Sequence, residues 1–386
     1  MGLASAGGSI LLFTAYTLVA RLVSKTVMGE YQIISTLMGI ALLTVYPKMS
    51  GVLIAAGARR IHGAFAEGTA MVIKKSWQGI AVLAFFSLYY ALTGAYGLSI
   101  AAAIGGLFFT PYAISGLYES YYVGTGDIQR YATRSLTISG ALATALIASA
   151  YFLPHSAAAL VFAFFSTNAL TAGLYTYYLA QYPATHTIPG KKEYLEFAKK
   201  TSWTEALLQA TNYADILLLN AFFGPKDVAI YAIARMIPET IKGFVKNAGT
   251  LSVAHVAAMD TTHIKRMLIA RTAQATGIAA IVFIAYAASA PLFFPLAFPA
   301  YPEALRYSQL LALSFLAFPA HLAESTLGAL LRKKETITLN TSAAGAMLIF
   351  SCILIPPFGV LGAILARVLA RFSNAIVALF ITLRSV

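Results

Sequence analysis

Runs of about twenty apolar residues recur from one end of the chain to the other, parted only by short polar breaks. A helix needs roughly twenty such residues to cross about 30 Å of hydrocarbon, and inside lipid it alone satisfies its backbone hydrogen bonds within one segment. The repetition predicts an all-α integral membrane protein of about twelve transmembrane helices. Spans are expected near 3–24, 31–56, 78–96, 98–123, 135–153, 157–181, 201–223, 229–258, 275–298, 305–330, 337–355 and 358–383. Charged residues make up only 11% of the chain, against roughly 25% in an ordinary soluble domain. The apolar run that begins at Leu3 has no basic stretch before it and reads as a first span rather than a signal peptide.

A net charge of +13 would suggest nucleic acid in a soluble chain. Here the basic residues have to be sorted by side of the membrane. With the N-terminus cytoplasmic, the inner connections and the C-terminal end collect seventeen: Arg59, Arg60, Lys74, Lys75, Arg130, Arg134, Lys191, Lys192, Lys199, Lys200, Lys265, Arg266, Arg271, Arg332, Lys333, Lys334 and Arg384. The outer connections hold only Lys25, Lys226 and Arg306. This asymmetry places both termini in the cytoplasm of a multi-pass cell-membrane protein. It assigns the high charge to topology and lipid contact, with no nucleic acid partner.

Lys191 to Lys200, with Tyr194, Leu195 and Phe197 among the charges, reads as an amphipathic helix on the cytoplasmic surface. The expected organisation is a six-helix bundle over 1–186, a linker over 187–200 and a second six-helix bundle over 201–386. An internal repeat supports it. Val27-Met28-Gly29-Glu30-Tyr31-Gln32-Ile33 and Asp227-Val228-Ala229-Ile230-Tyr231-Ala232-Ile233 both open an even-numbered span, and Glu119-Ser120 matches Glu324-Ser325. Parallel repeats of six spans imply pseudo-two-fold symmetry about the membrane normal, with a central cavity, and the chain is expected to be a monomer.

Seven basic residues remain at membrane depth: Arg21, Lys48, Arg235, Lys242, Lys246, Arg367 and Arg371. On insertion scales each costs roughly 2.5–3.5 kcal/mol near a helix centre, so such groups face protein or a water-filled pathway. Arg235, Glu239, Lys242 and Lys246 follow one another at helical spacing and share one face, and Arg367 and Arg371 lie one turn apart. Phosphate or diphosphate complements such a set. These residues and Glu119 are the substrate-binding candidates. The bland alternative is that Glu239, Asp215 and Glu324 neutralise the cations in buried ion pairs, although acids are outnumbered there. Pro47, Pro111, Pro238 and Pro319 fall inside spans, as hinges or as static kinks. Tyr118, Tyr121 and Tyr122 near Glu119 read as an interfacial belt or as sugar-binding hydroxyls.

The remaining chemistry is sparse. Cys352 is the single cysteine, which excludes an intrachain disulfide. The six histidines, His255 and His321 among them, show no metal-ligand spacing, and no nucleotide-binding or nucleophile motif occurs, so neither a resident cofactor nor enzymatic catalysis is expected.

Several stretches resemble the polysaccharide flippase branch of the multidrug/oligosaccharidyl-lipid/polysaccharide (MOP) exporter superfamily. They are Asp215 within Ala214–Leu219, the entry to span 8 at Asp227–Ala232, the Gly29-Glu30-Tyr31 entry to span 2, and Ile355-Pro356 followed by Gly359-Val360-Leu361-Gly362-Ala363. The resemblance implies twelve spans in two bundles and export of a lipid-linked oligosaccharide from the inner to the outer leaflet by alternating access. A cation-coupled multidrug exporter is the alternative within the superfamily, and a membrane glycosyltransferase or ligase fits less well, because the external connections are short. Related lipid II flippases imply a cation site for Na+ or H+ coupling, which Asp215 and Asn340 would echo. Ala344 stands where a second acid is expected, and Ala229 replaces the usual Gly before Tyr231.

Overall fold

The computed structural model describes residues 2–58, 63–180, 191–257, 261–329 and 333–385, and these form helices joined by short turns. Contacts divide the chain into two units, Met1–Tyr213 and Ala214–Val386.

The first unit opens with α1 (Gly2–Leu22), α2 (Lys25–Leu43) and α3 (Met49–Ala58). The single span expected over 31–56 is therefore broken. Pro47 disfavours helical dihedrals at the residue before it, and Tyr46 takes φ of 49°. Next come α4 (Gly63–Lys75), α5 (Trp77–Leu92), α6 (Tyr96–Leu107) and α7 (Phe109–Thr125). The α6 and α7 axes differ by 55°, so the fourth expected span is also broken. Pro111 sits in the first turn of α7, where its missing N–H costs no helical bond. Then come α8 (Ile128–Phe152) and α9 (Ala157–Ala180). Here α1 lies along α8, α3 along α7 and α5 along α6, while α9 contacts α2, α6, α7 and α8.

The boundary between units falls inside α10 (Lys191–Phe223), not in the stretch 187–200 where hydropathy breaks. Residues 191–200 are the first turns of this unbroken helix; 187–190 lie outside the described residues. The second unit continues with α11 (Pro225–Ala257), α12 (Thr261–Ala297), α13 (Pro302–Ala312), a 3₁₀ segment (Leu313–Ala320), α14 (His321–Ala329) and α15 (Lys333–Ser385). Its fourth segment is interrupted by the 3₁₀ stretch that contains Pro319, matching the break between α6 and α7. Pro238, by contrast, is carried within α11. Around these elements α11 packs on α13, α14 and α15, and α12 on the 3₁₀ segment.

The last two expected spans are the two limbs of α15, which meet at Gly359 with φ 55° and ψ −127°. That conformation is open to glycine and strained for other residues. Three residues on, a Cβ at Gly362 would lie 2.0 Å from the Leu354 carbonyl oxygen, so the second limb closes on the first only where no side chain intervenes. Gly362→Ala is expected to lower stability by about 1–3 kcal/mol, read from the unfolding midpoint by circular dichroism in detergent.

Among the described residues five helices are long and apolar enough to cross a membrane, or six when α6 and α7 count as one bent span. Exposed Ile278, Ile281 and Ile284 form a lipid-facing stripe on α12. The chain is a multi-pass helical membrane protein.

Candidate functional site

The charges expected at membrane depth in the second half converge on one cluster built from α10, α11, the 3₁₀ segment and the second limb of α15. Asp215 on α10 is fully buried. Its Oδ1 accepts the Ile216 N–H at 2.8 Å. Its Oδ2 accepts from the Tyr231 hydroxyl, from Arg367 Nη2 and, at 3.1 Å, from Arg367 Nε. The same Nε lies 2.9 Å from the Tyr231 oxygen, and Arg367 Nη1 reaches Glu239 Oε1 at 3.3 Å. Arg367 is thus committed to protein partners in three directions, as the ion-pair alternative required.

Glu239 then passes the network outward. Its Oε1 also accepts from Arg371 Nη2, while its Oε2 faces Lys242 Nζ at 3.7 Å. Arg371 Nη1 donates to Ser314 Oγ at 2.8 Å, and its guanidinium lies over the Phe318 ring. Side-chain exposure rises in order along this path: Asp215 0%, Arg367 7%, Arg371 13%, Glu239 25% and Lys242 30%. One end is a sealed anchor and the other is accessible.

Arg235 adds a fourth cation, its Cζ 5.3 Å from the centre of the Tyr231 ring. Its Nη1 is buried and has no hydrogen-bond partner among the described residues. Among the described residues, Arg235, Arg367, Arg371 and Lys242 gather around Asp215 and Glu239, with Glu324 also in electrostatic reach of Lys242. The side chain of Lys246 lies outside the described residues.

A second polar group sits beside the accessible end. His321 Nδ1 pairs with Glu324 Oε2 on α14, Asn374 Nδ2 on α15 donates to Glu324 Oε1 at 2.6 Å, and the His321 ring lies 6.3 Å from Phe318. Glu324 therefore hydrogen-bonds His321 and Asn374, and Lys242 lies within its electrostatic reach.

The other sequence candidates fall elsewhere. Arg21 is exposed at the end of α1, Lys48 lies in the break between α2 and α3 with its N–H donated to Ser202 Oγ at 3.4 Å, and Glu119 is half-buried on α7. All three belong to the first unit. Arg134, counted as a loop cation, is instead buried on α8, where its Nη2 donates to the Ser115 carbonyl and its guanidinium lies over Tyr118. Asn340 is half-buried on the first limb of α15, and among the described residues no polar contact joins it to Asp215. The described residues contain no group of three or more His, Cys, Asp or Glu able to hold a metal ion.

Sequence reasoning missed Tyr231, Ser314 and Asn374 as members of the cluster. Tyr231 precedes Arg235 by one turn and so extends the stripe, and Asn374 follows Arg371 by three residues on α15. The repeat also has a physical counterpart. Tyr31 and Tyr231 are both buried, but Tyr31 hydrogen-bonds the Tyr16 hydroxyl at 2.9 Å and faces Phe164, where Tyr231 meets Asp215 and Arg367. The first unit carries the uncharged version of the arrangement.

The sequence comparisons find no match, neither to a protein-family model nor to a curated protein. Structure comparison is more informative. The lipid II flippase MurJ in an inward closed conformation is similar at a TM-score of 0.74 with 13% identity, covering 98% of this chain and 86% of the other. An inward-facing multidrug resistance MATE family transporter of the MOP superfamily gives a TM-score of 0.68 with 15% identity, covering 95% and 93%. A MOP superfamily transporter from Pyrococcus furiosus, described as having a binding pocket of reverse polarity that suggests a different function, gives 0.59 with 13% identity, covering 98% and 94%. The chain has the two-lobed helical fold of the MOP superfamily transporters.

Proposed function

We propose that the chain is a transporter, not an enzyme, which moves the diphosphate head group of a lipid-linked oligosaccharide from the inner to the outer leaflet of the cell membrane. The observation that carries this reading is the excess of cations at the cluster, with a buried Arg235 donor unpartnered at a site whose other end is accessible. In a low-dielectric setting such an excess favours an anion, and guanidinium groups suit the paired oxygens of a phosphate. Lys242, Arg371 and Arg235 take the head group, while Asp215 and Arg367 hold the helices that present them. Sugar hydroxyls and the lipid tail need no further charge.

The names of similar structures, a lipid II flippase and a transporter of reversed pocket polarity, accord with an anionic cargo on this fold. A multidrug exporter of organic cations would need the opposite balance of charge at the site. Coupling to Na+ or H+ through Asp215 and Asn340 is not part of the reading, because every oxygen of Asp215 is already engaged. The membrane potential assists instead. With the interior negative, each anionic charge carried outward gains about 2.3 kcal/mol per 100 mV.

Glu239 has a defined part in this account. Its carboxylate bridges Arg367, Arg371 and Lys242, where a phosphate would bind, and so acts as a resident anion that the cargo displaces. Glu239→Gln is expected to raise affinity for a P1,P2-dialkyl diphosphate about tenfold, the effect of roughly 1.4 kcal/mol of relieved competition. Equilibrium dialysis against the purified transporter checks this. Weaker binding in the variant would contradict the displacement.

A further inference from the structure

A polar group lies within the second unit that the proposed transport reading leaves unused. His321, Glu324 and Asn374 form a connected triad, Nδ1 to Oε2 and Oε1 to Nδ2, in which both carboxylate oxygens are held. Asn374 Oδ1 is buried with no hydrogen-bond partner among the described residues, so the amide is fixed by Glu324 alone. The histidine and glutamate side chains are each 29% exposed, which leaves a path for a proton from water.

The triad touches the anion site in three ways. Phe318 packs between them, with the Arg371 guanidinium 5.7 Å and the His321 ring 6.3 Å from its centre. Asn374 and Arg371 lie three residues apart on α15. Lys242 pairs with Glu239 at 3.7 Å and interacts electrostatically with Glu324 as well. Among the described residues, Lys242 of α11 acts on Glu324 and Arg371 of α15 lies across Phe318 from His321. Leu268 of α12 belongs to an apolar cluster with Ala323 and Leu327 of α14, and Phe318 of the 3₁₀ segment lies 6.3 Å from the His321 ring.

We propose that His321, held by Glu324 and Asn374, is a proton-binding site whose occupancy sets the anion affinity of the neighbouring cluster. This rests on the anion reading given above. In the neutral ring the Nδ1–H donates to Glu324, whose negative charge remains uncompensated and draws on Lys242. When the second ring nitrogen takes a proton, His321 and Glu324 cancel, and Lys242 and Arg371 act on the cargo with one more unit of net positive charge nearby. Proton binding and anion binding then favour each other, and by linkage the cargo promotes proton uptake to the same extent. A protonated site on one side of the membrane would load anion more readily than a deprotonated one.

The probe for the test is a P1,P2-dialkyl diphosphate, a diester whose two charges do not change across neutral pH. The purified transporter is expected to bind it roughly five- to tenfold more tightly at about pH 6 than at about pH 8. In His321→Gln the two affinities become equal, at the weaker level. A variant that keeps the pH dependence of the unaltered protein overturns the proposal. A second measurement separates this from the transport reading. Histidine ring NMR without any anion should show, among the resonances of the six histidines, a pH-dependent one that is missing in His321→Gln. If the diester binds at neither pH, the anion reading fails while that titration still supports the proton site. If the resonance does not titrate, the proton site fails whatever the anion does.

Discussion

Asp215→Asn is expected to destabilise the protein by about 3–5 kcal/mol, because it leaves the Arg367 guanidinium without its main counter-charge at a site 7% exposed. The Tyr231 and Glu239 contacts survive and hold the loss toward the lower end of that range. Unfolding in detergent, followed by circular dichroism, measures it. The double variant Asp215→Asn, Arg367→Met should recover most of the loss, since a buried ion pair replaced by groups of similar volume without charge is often neutral. A single variant as stable as the unaltered protein would mean that the Asp215–Arg367 pair does not anchor the second unit.

The second large effect is on transport. Changing Lys242 and Arg371 to Gln removes two cations from the accessible end, and hydrogen bonds to charged groups contribute about 1.5–3 kcal/mol each. Outward delivery of a lipid-linked diphosphate sugar in reconstituted vesicles should fall about a hundredfold or more. Thermal unfolding should change little by comparison, because both residues lie away from the Asp215 anchor. Equal loss of stability and transport would show that these cations also hold the helices together.

The sequence disclosed the membrane class because lipid leaves few options for a backbone, and twenty-residue apolar runs are hard to mistake. The breaks were less legible. Pro47, Pro111 and Pro319 marked three of them; Pro111 lacks the N–H that would pair with the carbonyl of Leu107, four residues back, where α6 ends. The helical continuity of residues 191–200 with the rest of α10 was hidden because hydropathy reports lipid exposure and not helix ends.

For the site, helical spacing placed Arg235, Glu239 and Lys242 on one face and Arg367 next to Arg371, and those residues do come together. What spacing could not give was the partition between them. Whether a guanidinium faces a carboxylate or an open space depends on contacts between elements distant in sequence, such as Asp215 with Arg367, 152 residues apart. Arg367 is held by Asp215, Tyr231 and Glu239, and among the described residues no polar contact joins Asp215 to Asn340. Arg134 was misplaced for a related reason, since a cation near a helix start reads as a loop charge until its neighbours Ser115 and Tyr118 are known.

The central claim is that the accessible end of the second unit's cluster takes an anion. Equilibrium binding of a P1,P2-dialkyl diphosphate and of a tetraphenylphosphonium cation to the same purified protein tests it most directly. The account predicts saturable binding of the diphosphate, lost in the Lys242→Gln, Arg371→Gln variant, and no saturable binding of the cation. Saturable binding of the cation, with none of the diphosphate, would contradict it.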